Sequence, residues 1–408
     1  MRRVYLHVGT PKTGTSYVQD LLFRNRERLA DAGVRYPAEH PDDHFRAALD
    51  LMRLPWGGLE AEATGAWDRL ATEVCGHDGP SIISHEILAT ASRSQVGRAL
   101  ESLGHATGDA GGEVHVVLSV RDLSRQIPAE WQENVKHRRT FTYAEFLAEI
   151  RDPERASRLA TWFWGVQEVP AILDRWANDL PPEHVHLVTV PPRGGPPDEL
   201  WRRFSRAFGL DDVELDLETS RANPSLGVPE ISLLRRINQA TNRHLAPAAY
   251  RPLVRELIAH QTLSERTDSP RLGLPPELRA WAGELEQAWA DEVVARGYDV
   301  VGDLDDLVSE RSGAPGEWAD PDRARQRHVA AAALDTIQAV LLDSARLRDE
   351  TERLRTELHD ARVALERAYL RPTYRARAKV VRGLESGAPG RAVMRGYRAL
   401  RGRSSRSA

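Results

Sequence analysis

Along the first 220 residues the apolar positions follow two rhythms, short β-rich runs and longer stretches of helical period. Residues 4–8 (VYLHV), 81–84 (SIIS), 114–120 (VHVVLSV) and 185–190 (VHLVTV) read as buried strands. Between them, 17–28, 92–103, 143–149 and 155–179 carry apolar residues at helical spacing. Strands that alternate with helices predict an α/β fold, a parallel sheet flanked by helices on both faces. After residue 220 the strand signals fade. Segments 229–244, 247–261 and 275–296 predict helices, and 297–307 (GYDVVGDLDDL) a closing extended segment. Residues 311–322 (RSGAPGEWADPD) have the composition of a linker.

From 327 to 370 there is neither proline nor glycine. Val340, Leu347 and Leu354 stand seven apart, continued by Ala361 and Ala368, and Leu358 and Leu365 form a second register that Ser344 and Thr351 interrupt. The pattern predicts a long helix and a short coiled coil, with a second copy of the chain as its partner in a homodimer. The expected organisation is an α/β domain over 1–310, helical from about 225, a linker over 311–326, the long helix over 327–370 and a tail over 371–408.

Composition narrows the class. The chain has 408 residues, 41% apolar and 28% charged, enough for one large domain with appendages. The single cysteine, Cys75, excludes an internal disulfide and a multi-cysteine metal centre. No apolar run approaches the roughly 18–20 residues of a membrane span, and the first strand begins without an apolar leader. A soluble cytoplasmic protein is expected. The net charge of −4 hides an asymmetry: in 371–408 ten arginines and Lys379 face one acid, Glu385. Apolar Val393, Met394, Tyr397 and Leu400 share one helical face there, which suits an anionic membrane surface at about 1 kcal/mol per basic residue. The chain would then be peripheral at the inner face of the membrane; a disordered solubilising tail is the competing reading. No nucleic-acid partner is expected, since no groove-reading motif accompanies the charge.

The chemistry concentrates where the first strand ends. Gly9 and Gly14 bracket a turn (GTPKTG) that leads into a helix, the frame of a phosphate-binding loop whose backbone N–H groups form an anion cradle. A nucleoside-triphosphate loop places lysine directly after the second glycine and a magnesium-binding hydroxyl after that. Here Thr15 follows Gly14 and the lysine stands earlier, at Lys12. The placement counts against a phosphotransferase using ATP and magnesium.

Residues 11–16 (PKTGTS) resemble the 5′-phosphosulfate loop of sulfotransferases that use 3′-phosphoadenosine 5′-phosphosulfate (PAPS), in the style of a bacterial, actinobacterial branch. The resemblance covers about 1–307. It implies that Pro11, Lys12, Thr13, Gly14, Thr15 and Ser16 hold the 5′-phosphate, with Lys12 bridging the leaving phosphate and the sulfuryl group. A fixed cation there stabilises the charge that develops on the bridging oxygen, so the transfer needs no metal. Tyr17 stands where the family places an aromatic residue against adenine. The strand ending in Arg121-Asp122 resembles the family's 3′-phosphate motif, which makes Arg121 a 3′-phosphate ligand. Where the family has a serine eight residues later this chain has Ala129, and Ser124 or Arg125 would substitute. Arg221, Asn223 and Ser225 lie in a turn that resembles the segment closing over the 3′-phosphate.

The resemblance also places a base after the second strand, Glu86 or His85, to deprotonate an acceptor hydroxyl or amine. An HExxH zinc site is excluded because position 89 is Ala89. His44 is a candidate for the acceptor pocket. Trp56, Trp67, Trp131, Trp162 and Trp164 are either sugar-stacking or core residues. The expected activity is sulfuryl transfer from PAPS, leaving 3′,5′-bisphosphate (PAP), to a hydroxyl-bearing acceptor such as a sugar or glycolipid. The alternative is a non-catalytic scaffold that acts through its coiled coil and basic tail.

Overall fold

Five strands, β1 (Arg3–Gly9), β2 (Ser81–Ser84), β3 (Glu113–Val120), β4 (Val185–Thr189) and β5 (Asp299–Val301), form one sheet in the order β2-β1-β3-β4-β5. The computed structural model describes residues 2–105, 112–218, 225–309 and 318–370, with 372, 376 and 379–381. Every strand pair is parallel, with Leu6 opposite Ile83 and Val116, and Leu187 opposite Leu118 and Val300. The predicted α/β class, a parallel sheet flanked by helices, is what forms.

Alternation along the strands divides the core. Val4, Leu6 and Val8 of β1 and Val114, Val116, Leu118 and Val120 of β3 face the larger cluster, together with Trp67, Trp131 and Trp176. Tyr5, Ile82, Val117 and Val188 face the other side, covered by Val18, Leu21 and Leu22 of the Thr15–Arg24 helix and Trp201 and Phe204 of the Glu199–Ala207 helix. Two-sided cover is what a parallel sheet requires. The chain runs from β1 out to β2 and then returns to β3 on β1's other side. The order therefore reverses between β1 and β3, and the crevice beyond their carboxyl ends is where open α/β sheets bind ligands.

Several boundaries differ from the sequence reading. The stretch 155–179 forms two helices, Arg158–Gln167 and Val169–Trp176, because Pro170 in the first turn of the second cannot donate into the first. Helix 247–261 starts as Pro247–Tyr250 and continues as a π-helix, Arg251–Thr262, with Pro252 at the change. Only Asp299–Val301 of the closing segment is strand; Leu304–Asp306 is a 3₁₀ turn.

The linker is the largest correction. Residues 318–326 pack on the domain: Pro321 and Ala324 are buried, and Asp322 accepts the N–H groups of Tyr143 and Ala144 at 3.1 and 3.0 Å. A Pro/Gly composition marked a break, but the carboxylate supplies the start of the Tyr143–Arg151 helix with a partner. The predicted long helix is present as Gln326–Leu370, 45 residues. The chain forms two units, Met1–Thr336 and Ile337–Ala408, so the first turns of that helix, with Val329 and Ala332 in the core, belong to the first. In the second unit Leu341, Leu347, Leu354, Leu358 and Leu365 are exposed. No described helix is long and apolar enough to cross a membrane.

Asp322→Ala is expected to destabilise the first unit by about 2 kcal/mol, the scale for losing charge-assisted hydrogen bonds. Urea unfolding of the variant checks this, and a linker carboxylate would leave the midpoint unmoved.

Candidate functional site

A buried polar line crosses the sheet under the loop after β1. Ser84 on β2, His7 on β1 and Ser119 on β3 are all fully buried. His7 Nδ1 lies 2.7 Å from Ser84 Oγ and His7 Nε2 3.1 Å from Ser119 Oγ. Ser119 Oγ also lies 2.6 Å from Thr13 Oγ1 and 2.9 Å from the Gly9 carbonyl, while the Thr13 hydroxyl donates to the Thr10 carbonyl at 2.6 Å. A neutral His7 protonated on Nε2 donates to Ser119 and accepts from Ser84, and the single hydroxyl hydrogens of Ser119 and Thr13 are shared among the Gly9 carbonyl, the Thr10 carbonyl and their mutual contact. Burial, opposed by Glu86, brings the His7 imidazole down to about 4, in keeping with that state.

This network fixes the loop. The Thr10 N–H donates to the Ser119 carbonyl at 2.8 Å, and Gly14 sits just before the Thr15–Arg24 helix at φ 89°, where a side chain would be strained. Gly9, at φ 136°, lets the loop pass so close to the 3₁₀ turn after β2 that a Cβ would lie 3.1 Å from the Glu86 carbonyl. Lys12 itself takes φ 66°, a left-handed conformation that costs a β-carbon residue on the order of 1 kcal/mol. Such outliers persist where the surroundings hold them and gather at functional sites.

Lys12 connects two charged regions, one built on the carboxyl groups of Glu130 and Glu133 and the other on arginines. Its ammonium meets Glu133 Oε2 at 2.6 Å. Its carbonyl accepts from the Arg121 guanidinium at 3.1 Å. Glu133 belongs to the Leu123–Lys136 helix, which starts on the Asp122 carboxylate and turns Gln126, Glu130 and Glu133 towards the loop. The Gln126 amide donates to the Pro11 carbonyl. Glu133 also takes His137 and Arg255, both at 3.0 Å. Burial works against its charge, yet His137 and Lys12 hold it well below the carboxylate range. One turn earlier, Glu130 is buried and its Oε2 has no hydrogen-bond partner. Burial pushes this carboxyl up to about 7; Lys12 opposes the shift, and Glu133 and Glu86 add to it.

On the other side of the loop Arg121 is joined by Arg125, Arg193 and Arg271. The Arg121 Nε is buried without a partner. Burial, with Arg125 and Arg193 beside it, lowers the guanidinium to about 10, still a cation at neutral pH. Burial, Arg271 and Arg125 lower Arg193 in the same way. Among the described residues Arg125 has a carboxylate partner, Asp122, whereas Arg121, Arg193 and Arg271 have none within ion-pair distance. A group of cations with this little internal compensation suits a multivalent anion.

Glu86 closes the third side. Gln19 donates to its carboxylate at 2.9 Å, and His85, Gln19 and His7 together outweigh burial, so it stays ionised. His85 Nδ1 accepts from the Ile87 N–H, and its ring stacks on Phe45 at 5.0 Å. Phe45 continues to Trp56 at 5.6 Å and Trp56 to Trp162 at 6.4 Å, an aromatic line running out to the surface, where Trp56 is exposed.

The structure thus brings together Lys12, Glu86, His85, Arg121 and the loop residues Pro11, Gly14, Thr15 and Ser16. Other predicted residues are otherwise engaged. The Thr13 hydroxyl is turned inwards to Thr10 and Ser119 rather than presented to a ligand. Ser124 gives its hydroxyl to Asp122, and Arg125 ties Asp122 to the carbonyls of Pro191 and Val190 at the end of β4. His44 is a correction. It is buried, with Nε2 at 3.1 Å from the Pro37 carbonyl and Nδ1 accepting from the Ser84 N–H at 3.2 Å, so its part is structural. Tyr17 is half-buried against the second core cluster. Ser225 is exposed, and Arg221 and Asn223 lie outside the described residues. Trp67, Trp131 and Trp164 are core.

Sequence reasoning missed Glu130, Glu133, Arg193 and Arg271. Polar residues at 126, 130, 133 and 137 repeat at helical period beside the buried set 123, 127, 131 and 135, a second face that needed a polar partner. No family model, no curated protein and no solved structure matches this chain.

The sign of the Glu130 shift gives a pH test. A carboxyl whose folded pKa lies near 7, above its unfolded value, stabilises fully below the unfolded pKa and loses that contribution as pH rises through 7. Glu130→Gln cannot ionise. It is expected to be more stable than the parent at pH 8, by about 3 kcal/mol for a shift of this size, with the gap closing towards pH 4. Denaturant unfolding across that range reads the difference, and a gap independent of pH contradicts the assignment.

Proposed function

We propose that this chain is a sulfotransferase that moves a sulfuryl group from PAPS to an acceptor hydroxyl or amine. The observation that carries the reading is one loop with a cation at each end: the Lys12 ammonium, resting on Glu133, on one side and the under-compensated Arg121 group on the other. PAPS is anionic at two separated places, its 3′-phosphate and its 5′-phosphosulfate. The P-loop-like frame, with the N–H groups from Gly14 onwards at a helix start, takes the 5′-phosphate. Arg121, with Arg193 and Arg271 in place of the family serine that Ala129 lacks, takes the 3′-phosphate.

In the transfer, the acceptor oxygen attacks sulfur as the bond to the bridging oxygen breaks, and PAP departs. Lys12 leaves Glu133 to meet the charge developing on that oxygen. Removing one such contact typically costs ~10²–10³ in rate. Glu86, kept ionised beside His85, accepts the acceptor's proton. Glu130 stands close enough to Lys12 for their charges to interact, with a pKa suited to passing a proton near neutrality. The aromatic line from His85 to Trp162 is the acceptor side, and it favours a substrate with a flat apolar face, such as a sugar ring or a glycolipid.

A second reading rests on the exposed leucines of the Ile337–Ala408 unit, at 45–64% exposure on a helix that gives them no cover. In it that helix pairs with its copy in a coiled-coil homodimer, and the basic tail, most of which lies outside the described residues, meets an anionic membrane at the cytoplasmic face. The dimer would then be a scaffold and the α/β domain a nucleotide-binding fold without turnover.

Calorimetric titration with PAP, with ATP–magnesium as the control, tests the nucleotide, and turnover of PAPS that is lost in a folded Lys12→Ala variant separates the enzyme from the scaffold. Micromolar PAP binding that falls at least tenfold in Arg121→Ala, without comparable ATP binding, is the expected result. A folded protein that binds no PAP overturns the sulfotransferase reading.

A further inference from the structure

The opposite end of the sheet carries a second group of chemically capable side chains. Glu113 and His115 begin β3, His184 precedes β4, His186 follows in β4, and Asp299 begins β5. They lie roughly 20 Å along β3 from Arg121. Ligand atoms of Glu113, His115 and His184 are all within 4.8 Å of one another. The His115 and His184 rings are 4.3 Å apart, and His115 Nε2 is 3.7 Å from Glu113 Oε2.

Proton counting shows what this group lacks. Asp299 Oδ2 lies 2.7 Å from His186 Nδ1, and a carboxylate can only accept, so His186 carries its proton there. In the neutral tautomer that this bond selects, His186 Nε2 is an acceptor, to which His115 Nδ1, 2.9 Å away, donates. That leaves a lone pair on His115 Nε2. This atom is buried, on a residue 8% exposed, and has no hydrogen-bond partner. It points instead towards the Glu113 carboxylate, a second acceptor, whose Oε2 already takes the Arg3 Nε–H at 2.7 Å. Two lone pairs facing one another across a gap, with a second imidazole beside them, are complementary to a cation.

We propose that Glu113, His115 and His184 bind one divalent transition-metal ion of the zinc class, which clamps the lower ends of β3 and β4. Two imidazole nitrogens and one carboxylate oxygen suit Zn²⁺ and its neighbours better than the all-oxygen ligation that Mg²⁺ and Ca²⁺ prefer. Ligands at about 2.0–2.1 Å in a tetrahedron stand roughly 3.3 Å apart. His184 and Glu113, both partly exposed, therefore close inwards by rotation while His115 stays fixed. Water completes the shell from the exposed side. The Asp299–His186 pair is the outer shell, holding His115 in the metal-binding tautomer, as carboxylate–histidine pairs do at zinc sites. This site stands apart from the sulfotransferase reading and does not depend on it.

The test is titration of the untagged full-length chain with Zn²⁺, followed by calorimetry and by thermal unfolding, with Mg²⁺ as the control. The expected result is one Zn²⁺ per chain, a raised Tm and no response to Mg²⁺. Asp299→Asn should weaken binding ~10–100-fold, and His184→Ala should weaken it further. Glu113→Gln provides a second variant should His184→Ala fold poorly. Absence of binding to the wild type, or Zn²⁺ binding unchanged in both His184→Ala and Glu113→Gln, overturns the proposal.

Discussion

The buried contact between Ser119 and the loop after β1 is the constraint on which the rest of the site depends. One hydroxyl on β3 meets His7, Thr13 and the Gly9 carbonyl in a region closed to water. A buried polar group left unmade costs about 1–3 kcal/mol, so such a network specifies one arrangement closely. With the loop anchored there, Lys12 is held in a left-handed conformation and its ammonium is sent to one side while its carbonyl takes Arg121 on the other. The Lys12 ammonium is positioned by backbone geometry rather than by a flexible side chain alone.

The sheet order gives this arrangement its place. Because the chain reverses direction of winding between β1 and β3, the loops that follow these two strands diverge and leave a crevice. The Leu123–Lys136 helix bridges it: one face carries Leu123, Ile127, Trp131 and Val135 into the core, and the adjoining face carries Gln126, Glu130 and Glu133 to the loop. Glu130 and Glu133 are three residues apart and are driven in opposite directions, one towards protonation by burial, the other towards ionisation by His137 and Lys12. Environments that separate two like carboxyls are a recurring means of assigning acid and base roles.

How much of this was legible depends on the range of the interaction. The four longer strands, the glycine frame at Gly9 and Gly14 and the cation at Lys12 are local signals, written in apolar alternation and in residue type. Arg121 was legible because a charge ending a buried strand stands out. The pairing of Lys12 with Glu133 spans 121 residues and leaves no local trace. His44 read as a candidate for the acceptor pocket, yet it is buried with both ring nitrogens engaged, a fate set by Pro37 and Ser84. The segment before the long helix looked like a linker because proline and glycine mark breaks; Asp322 binds it to a helix start some 180 residues earlier, and only the tertiary fold could reveal that.

The central claim is that one loop presents two cationic ends to one doubly anionic nucleotide. A crystal structure of the PAP complex tests it most directly. The account predicts the 5′-phosphate over the N–H groups following Gly14 and the 3′-phosphate against Arg121 and Arg193. PAP bound away from the loop, or held there with its 3′-phosphate in solvent, would contradict it.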